Sequence, residues 1–308
     1  MMKKTKLAIL AALAFLLLLL EFWLIILNLN QGKPLAAWAL PVIVGSLGIS
    51  LLSFFYMVSA SWRIFSIFTV AGLLGYLIIA PASIFVWLGG LAFFLLQALV
   101  FQHIKSEEKA RASFSIRRVM GSGIMPAIYA LLLMFGFNLY YSTSTQFNQD
   151  PEEFYGRLET SVAHTLPYLD NTLPSDLNLE QTLDEFLIAQ VSEQSPDFAR
   201  ATRAQQEQLL AVGRTQFFQQ FNLEGRGDEK LSVIFARAVV GKLKDALAGF
   251  QKFFPLIFTV AVLALLRTLT FVLHWLAMLV GWLLFKVLVA VNFFRISKVQ
   301  VEVEKLEI

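Results

Sequence analysis

The chain has 308 residues, of which 57% are hydrophobic and 15% charged, and its formal net charge is +3. Soluble domains carry about 25% charged residues, so this composition excludes an ordinary soluble protein. The small net charge, without basic stripes, aromatic RNA-binding motifs or zinc-type spacings, argues against nucleic-acid binding. The sequence contains no cysteine, which excludes disulfides and thiolate ligands.

Apolar residues are concentrated in long, nearly charge-free blocks. A bilayer core about 30 Å thick needs about 20 helical residues, and lipid offers backbone groups no partners outside a helix. The sequence therefore predicts an all-α, polytopic integral membrane protein. The blocks are residues 7–27, 35–58, 64–102, 120–141 and 253–294.

The first block follows three lysines, an arrangement that resembles a secretory signal peptide. A cleaved signal has an apolar region of only about 7–15 residues, whereas residues 7–27 are of spanning length. We therefore expect an uncleaved first span.

Because an α-helix rises 1.5 Å per residue, two of the blocks are too long for a single crossing. Pro81 divides residues 64–102 into spans 64–79 and 83–102, with a re-entrant hairpin as the alternative. Residues 253–294 are divided into spans 253–269 and 271–294, although no proline or glycine marks that break. This gives seven spans. A six-span alternative has the last block lying partly in the interface.

Lysine and arginine in the short loops set the orientation. Nine lie on the side of the N-terminus and one on the other side. We expect a cell (inner or plasma) membrane protein with a cytoplasmic N-terminus and with residues 142–252 extracytoplasmic. With seven spans the C-terminal tail is outside, where the positive charges of Arg295 and Lys298 are disfavoured. With six spans the tail is inside.

The predicted domains are a five-span region (1–141), an extracytoplasmic domain (142–252), a membrane hairpin (253–294) and a tail (295–308). Residues 142–252 have a net charge of −6 and contain helix-start signals at Asp150, Thr182, Ser195 and Asp228. We predict a small helical domain tethered at both ends. Its fourth helix, beginning near residue 231, has an apolar face for packing or, alternatively, for the lipid surface.

Three charged residues interrupt the apolar blocks: Glu21, Arg267 and Lys286. A charge at the centre of a span costs about 2.5–3.5 kcal/mol on insertion scales, which makes each a functional candidate. One hypothesis is a buried Glu21–Lys286 pair; the alternatives are a hydrated Glu21 near the outer interface or a role in transport. Arg267 is predicted to anchor the inner turn between the last two spans, with its long stem reaching the interface.

Other motifs carry less information. Gly45 and Gly48 give the second span a small-residue face that favours helix packing. Arg226-Gly227-Asp228 is interpreted as a turn with a helix cap, not as an adhesion motif. Residues 299–304 alternate like an edge strand, but a flexible tail is the expectation. The three histidines, at 103, 164 and 274, are far apart and lack carboxylates at metal-ligand spacing.

These observations predict a bacterial-type multi-pass scaffold or partner subunit that binds through its extracytoplasmic domain. The expected partners are the lipid bilayer and another envelope or membrane protein, not nucleic acid. The alternative is a transporter or channel subunit. We do not expect an enzyme, a cofactor or a metal site, because paired carboxylates, histidine clusters and phosphate-binding loops do not occur in the sequence.

Overall fold

The computed structural model of the chain describes residues 2–31, 35–59, 61–109, 115–167, 178–194 and 202–294. Within these ranges the regular secondary structure is helical, apart from one isolated antiparallel bridge between Thr182 and Lys230. The predicted tail, 295–308, lies outside the described residues. The helices are α1 (Met2–Gln31), α2 (Ala39–Val58), α3 (Trp62–Ile79), α4 (Ile84–Lys109), α5 (Ile116–Gln149), α6 (Pro151–Thr165), α7 (Leu183–Gln194), α8 (Arg203–Phe221), α9 (Leu231–Ala246) and α10 (Phe254–Ala290), with short 3₁₀ turns at Leu35–Trp38 and Ala248–Phe253.

Seven helical segments are long and apolar enough to cross a membrane. The prediction of an all-helical chain with seven such segments is confirmed for the described residues. The break at Pro81 is also confirmed, because α3 ends at Ile79 and α4 begins at Ile84. The segments are Thr5–Leu29, Ala39–Val58, Trp62–Ile79, Ile84–Glu108, Ile116–Gln149, Ala248–Thr268 and Thr270–Ala290.

The last two segments are not arranged as the predicted hairpin. α10 continues without a break from Phe254 to Ala290, so both segments share one helix of 37 residues, about 55 Å long. The reason is local: neither proline nor glycine lies near the expected turn. The Thr270 hydroxyl instead donates to the Arg267 carbonyl oxygen at 2.7 Å, a bond within the continuing helix.

The chain divides into two compact units by contact: unit 1 comprises Met1–Thr145 with Pro255–Ile308, and unit 2 comprises Gln146–Phe254. In unit 1, α10 runs antiparallel to α5. Leu263 packs on Gly136, where an added Cβ would lie 2.7 Å from Leu263 Cδ1, and Met120 packs on Gly281. These contacts make α5 and α10 neighbours along the bundle.

One end of unit 1 carries several basic side chains. The Lys6 ammonium donates to the carbonyl oxygens of Asn292 (2.7 Å) and Phe293 (3.1 Å), just beyond α10. The Lys105 ammonium donates to the Met57 carbonyl at the end of α2, at 2.8 Å. The start of α1 and the ends of α2, α4 and α10 therefore meet here, and we call this the basic end.

Apolar and aromatic side chains fill the interior of unit 1. Phe22 is fully buried, and its ring makes edge-to-face contacts with Tyr76 (5.4 Å between centroids) and Phe93 (5.2 Å). α2 has the highest buried share of the seven segments, 72%. The small residues predicted on its face allow this close approach.

Unit 2 has its own apolar core, formed by Leu179, Leu183, Leu187, Leu210, Phe218, Leu231 and Ile234. The predicted caps of its first two helices are confirmed: Asp150 accepts from the Glu153 N–H, and Thr182 and Glu185 satisfy each other's backbone N–H groups. The predicted cap at Asp228 is wrong, because Lys230 precedes the first turn of α9. The predicted start at Ser195 lies outside the described residues. α9 packs against α6 within the unit.

Candidate functional site

Glu21 lies inside the helical bundle, against Gly45 of α2. Its side chain is 5% exposed, and a Cβ on Gly45 would collide with its Oε1 and lie 2.7 Å from its Cδ. The carboxyl group fits only because residue 45 has no side chain. Oε2 is buried and has no hydrogen-bond partner. This burial contradicts the alternative of a hydrated Glu21 near the interface.

The predicted Glu21–Lys286 pair is wrong. Lys286 is exposed, and its ammonium lies over the Trp282 ring, 3.8 Å from the centroid. The discrepancy follows from α10 being one helix. Because α10 ends beside Lys6, Lys286 lies near the basic end, whereas Glu21 is fifteen residues along α1, about 22 Å from Lys6.

Arg267 does not occupy a turn, so its predicted role as an anchor at an inner turn is also wrong. It lies within α10, on the exposed face of the helix. It precedes Ala290 by 23 residues, which is about 35 Å along the helix axis. This is slightly more than the thickness of a bilayer core, so Arg267 and the basic end are separated by roughly one membrane.

Sequence reasoning missed the buried polar contacts that join α2 to α4 and α3 to α4 and α5. Asn138 donates through Nδ2 to Tyr76 Oη at 2.9 Å, and that hydroxyl donates to the Val86 carbonyl at 3.2 Å. Tyr56 Oη donates to Gln97 Oε1 at 3.2 Å, while Gln97 Nε2 is buried without a partner. The sequence did contain a signal for these contacts. Two of the apolar spans each contain an amide side chain, and a polar group buried in a span needs a partner.

Among the described residues, no group of three histidine, cysteine, aspartate or glutamate side chains could hold a metal ion. The histidines are dispersed: His103 bonds the Leu99 carbonyl, His164 lines a cavity in unit 2, and His274 lines a cavity in unit 1. Among the buried side chains of the described residues, Glu21 is the one acidic group.

An ion pair joins α7 and α8 in unit 2. The Arg214 guanidinium donates to both carboxylate oxygens of Asp184, at 2.6 and 2.8 Å, with each side chain about one-quarter exposed. These bonds raise the pKa of Arg214, because the adjacent carboxylate stabilises its charged form. A Cβ on Gly227 would collide with this pair. Arg226-Gly227-Asp228 is therefore a turn packed on the ion pair, as the turn interpretation predicted.

Unit 2 also presents a polar cavity and exposed apolar side chains. A cavity of about 470 Å³ is lined by charged groups that include Glu159, Glu180 and Lys230. On α8, Leu209 and Val212 are 50% and 56% exposed and lie three residues apart, on one face of the helix. A helix otherwise rich in glutamine thus exposes two large apolar side chains.

No protein-family model, curated protein sequence or solved structure matches this chain.

Proposed function

We propose that the chain is a multi-pass membrane scaffold or partner subunit of the inner (plasma) membrane, and that unit 2 binds another envelope or membrane protein on the extracytoplasmic side. The observation that carries this proposal is the exposed pair Leu209 and Val212 on α8. Because each side chain is about half exposed, burying the remainder against a partner is favourable by about 0.8–1.5 kcal/mol each, half the value for a fully exposed side chain. The ion pair between α7 and α8 holds this surface in one shape, which lowers the entropic cost of binding.

The proposal includes an orientation with six crossings. α1 to α5 cross in turn, and α10 crosses once as a long helix, returning the chain to the basic end. Helices in membranes tilt by up to about 40°, and at that tilt 55 Å of helix rises about 42 Å, close to the full bilayer thickness of 40–45 Å. Both chain ends are then cytoplasmic, as the positively charged Arg295 and Lys298 favour.

Because the sequence lacks cysteine, single cysteines test this orientation directly. Gly156 in unit 2 has open space around its Cα, and Ser106 near the basic end is exposed. In intact spheroplasts, a membrane-impermeant maleimide should label Gly156→Cys, but label Ser106→Cys and Ile308→Cys only after permeabilisation. Labelling of Ile308→Cys together with Gly156→Cys would instead support seven crossings.

Site-specific photo-crosslinking in cells tests the partner function. A photoreactive residue at Leu209 or Val212 should give one discrete adduct, and the same residue at Gly156 should give none. A photoreactive residue at a neighbouring position of α8 should give the same adduct in the otherwise wild-type chain. That adduct should be lost when Leu209→Ser and Val212→Ser are also present. No adduct at either position, or equal adducts at all three, would contradict the proposal.

The second candidate is a transporter or channel subunit, favoured by the buried Glu21 carboxyl, whose Oε2 has no hydrogen-bond partner. A transported proton or cation would have to reach this group through a bundle filled by aromatic side chains. Flux assays in reconstituted vesicles separate the two functions. A proton or cation flux that Glu21→Gln abolishes would favour transport, and absence of such an effect would favour the scaffold.

A further inference from the structure

A groove in unit 1 combines charged and apolar lining between α4, α5 and α10. It is an open cavity of about 610 Å³, and its lining includes Arg117, Arg118 and His274. The remaining lining residues are Glu107, Gly121, Met125 and Met278. The groove thus has two arginines and one carboxylate on its charged side, which keeps that side net positive, and methionine side chains on its apolar side.

The two arginines are placed where an anion would stabilise them. Both are exposed in the first turn of α5. Among the described residues, neither guanidinium forms an ion pair. A cation in the first turn of a helix is disfavoured by the helix dipole, whereas an anion there is favoured. An anionic group bound here would neutralise both side chains and would itself be favoured by the dipole at the helix start.

The adjacent surface indicates the rest of the ligand. Met125 and Met278 form an apolar lining beside the arginines. The Arg117 guanidinium lies over the half-exposed Trp275 ring, 5.5 Å from the centroid. Tryptophan next to arginine is typical of the level of lipid headgroups. A ligand matching both sides carries a negative charge next to an apolar portion.

His274 adds a third polar contact. Its Nδ1 atom is buried and has no hydrogen-bond partner, while the residue lines the same groove. A ring nitrogen of histidine donates or accepts one hydrogen bond according to its tautomer. Because Nδ1 is closed to solvent, an anion in the groove would accept from the other ring nitrogen, Nε2, which is not among the buried atoms.

We propose that the groove binds the phosphate of an anionic phospholipid. The guanidinium groups of Arg117 and Arg118 hold the phosphate oxygens, since the planar fork of arginine matches phosphate geometry. His274 contributes one hydrogen bond, and the glycerol and upper acyl chain lie on Met125 and Met278. Basic pockets between membrane helices are known to bind lipid headgroups in this way.

Native mass spectrometry of the full chain in detergent tests the proposal, with phosphatidylglycerol, phosphatidylcholine and inorganic phosphate as probes. We expect one phosphatidylglycerol per chain and at least about 10-fold weaker binding of phosphatidylcholine. In R117Q/R118Q the affinity for phosphatidylglycerol should fall at least ~10-fold, because charge-assisted hydrogen bonds are lost. In R63Q, which removes a basic residue outside the groove, it should be unchanged.

Two further arms keep the test decisive. R117K/R118K retains the loop charge that directs insertion but lacks the guanidinium fork, so it should fold normally and bind with intermediate affinity. Inorganic phosphate should not displace the lipid, because it lacks the apolar portion. Equal binding by wild type and R117Q/R118Q, or equal binding of the two lipids, would overturn the site. Displacement by inorganic phosphate would overturn the assignment to a lipid.

Discussion

Replacing Gly45 with alanine should test how closely α1 and α2 approach at Glu21. Alanine improves helix propensity over glycine by about 0.5–1 kcal/mol. Its Cβ, however, would collide with the buried Glu21 carboxyl, and overpacking typically costs about 1–3 kcal/mol. The carboxyl is the mobile end of its side chain, but at 5% exposure it has no hydrated position nearby. We therefore expect a net destabilisation of about 1 kcal/mol.

Gly48 provides a matched control one turn away on α2. A Cβ there would lie 3.5 Å from Leu18 Cδ2, an ordinary van der Waals contact. Gly48→Ala should therefore be neutral or stabilising, by up to about 1 kcal/mol. The two alanine variants differ in their steric environment while making the same chemical change on the same helix.

The measurement is reversible unfolding of the full chain in mixed detergent micelles, followed by circular dichroism. A double-mutant cycle with Glu21→Ala isolates the contact, because the Gly45→Ala penalty should vanish once the carboxyl is removed. The coupling should be at least about 1 kcal/mol, within the range for residues in contact. Equal stabilities of Gly45→Ala and Gly48→Ala, or a penalty that persists in the Glu21→Ala background, would refute the reasoning.

Three other substitutions have defined outcomes in the full chain. Asn138→Leu should lower the thermal midpoint in detergent, since it removes the donor to Tyr76 at 2.9 Å and costs about 1–3 kcal/mol. Asp184→Asn should increase hydrogen exchange in α7 and α8, because it weakens the two bonds from Arg214; unchanged exchange would contradict that role. Tyr155→Phe should stabilise unit 2 by about 1 kcal/mol, because the Tyr155 hydroxyl is buried without a partner. Burial also raises the pKa of Tyr155 above its ordinary value of 10. The neutral phenol is therefore favoured in the folded state, and this contribution is fully present below pH 10 and lost as the pH rises through the folded-state pKa. Raising the pH above 10 should therefore lower the stability to urea less in the phenylalanine variant than in wild type, and equal losses would contradict the assignment.

Hydropathy located the first five spans well, because lipid restricts both the length and the conformation of an apolar segment. Pro81 gave the break between α3 and α4, since a residue before or at proline cannot easily continue a helix. The last apolar block has no proline at its expected break. Its composition suits one long helix as well as two short ones, and in the structure α10 is one continuous helix that contacts α5.

The contacts of the candidate site were harder to predict from the sequence than the spans. Glu21 was identified because a carboxylate stands out among leucines, but its neighbour depends on the register between α1 and α2. The same holds for Tyr76 and Asn138, which are 62 residues apart. Assigning Lys286 to Glu21 assumed a turn in α10, and this one error placed a residue of the basic end beside a residue about 22 Å away along the bundle.

The antiparallel contact of α5 with α10 has an architectural consequence. The chain leaves the bundle through one helix and re-enters through its immediate neighbour, so residues 146–254 constitute an insertion within a helical hairpin. Insertions whose two ends are close together are readily gained and lost, because the host keeps its contacts when they are removed. Unit 1 can therefore be regarded as a six-helix platform whose own contacts do not depend on the inserted residues 146–254.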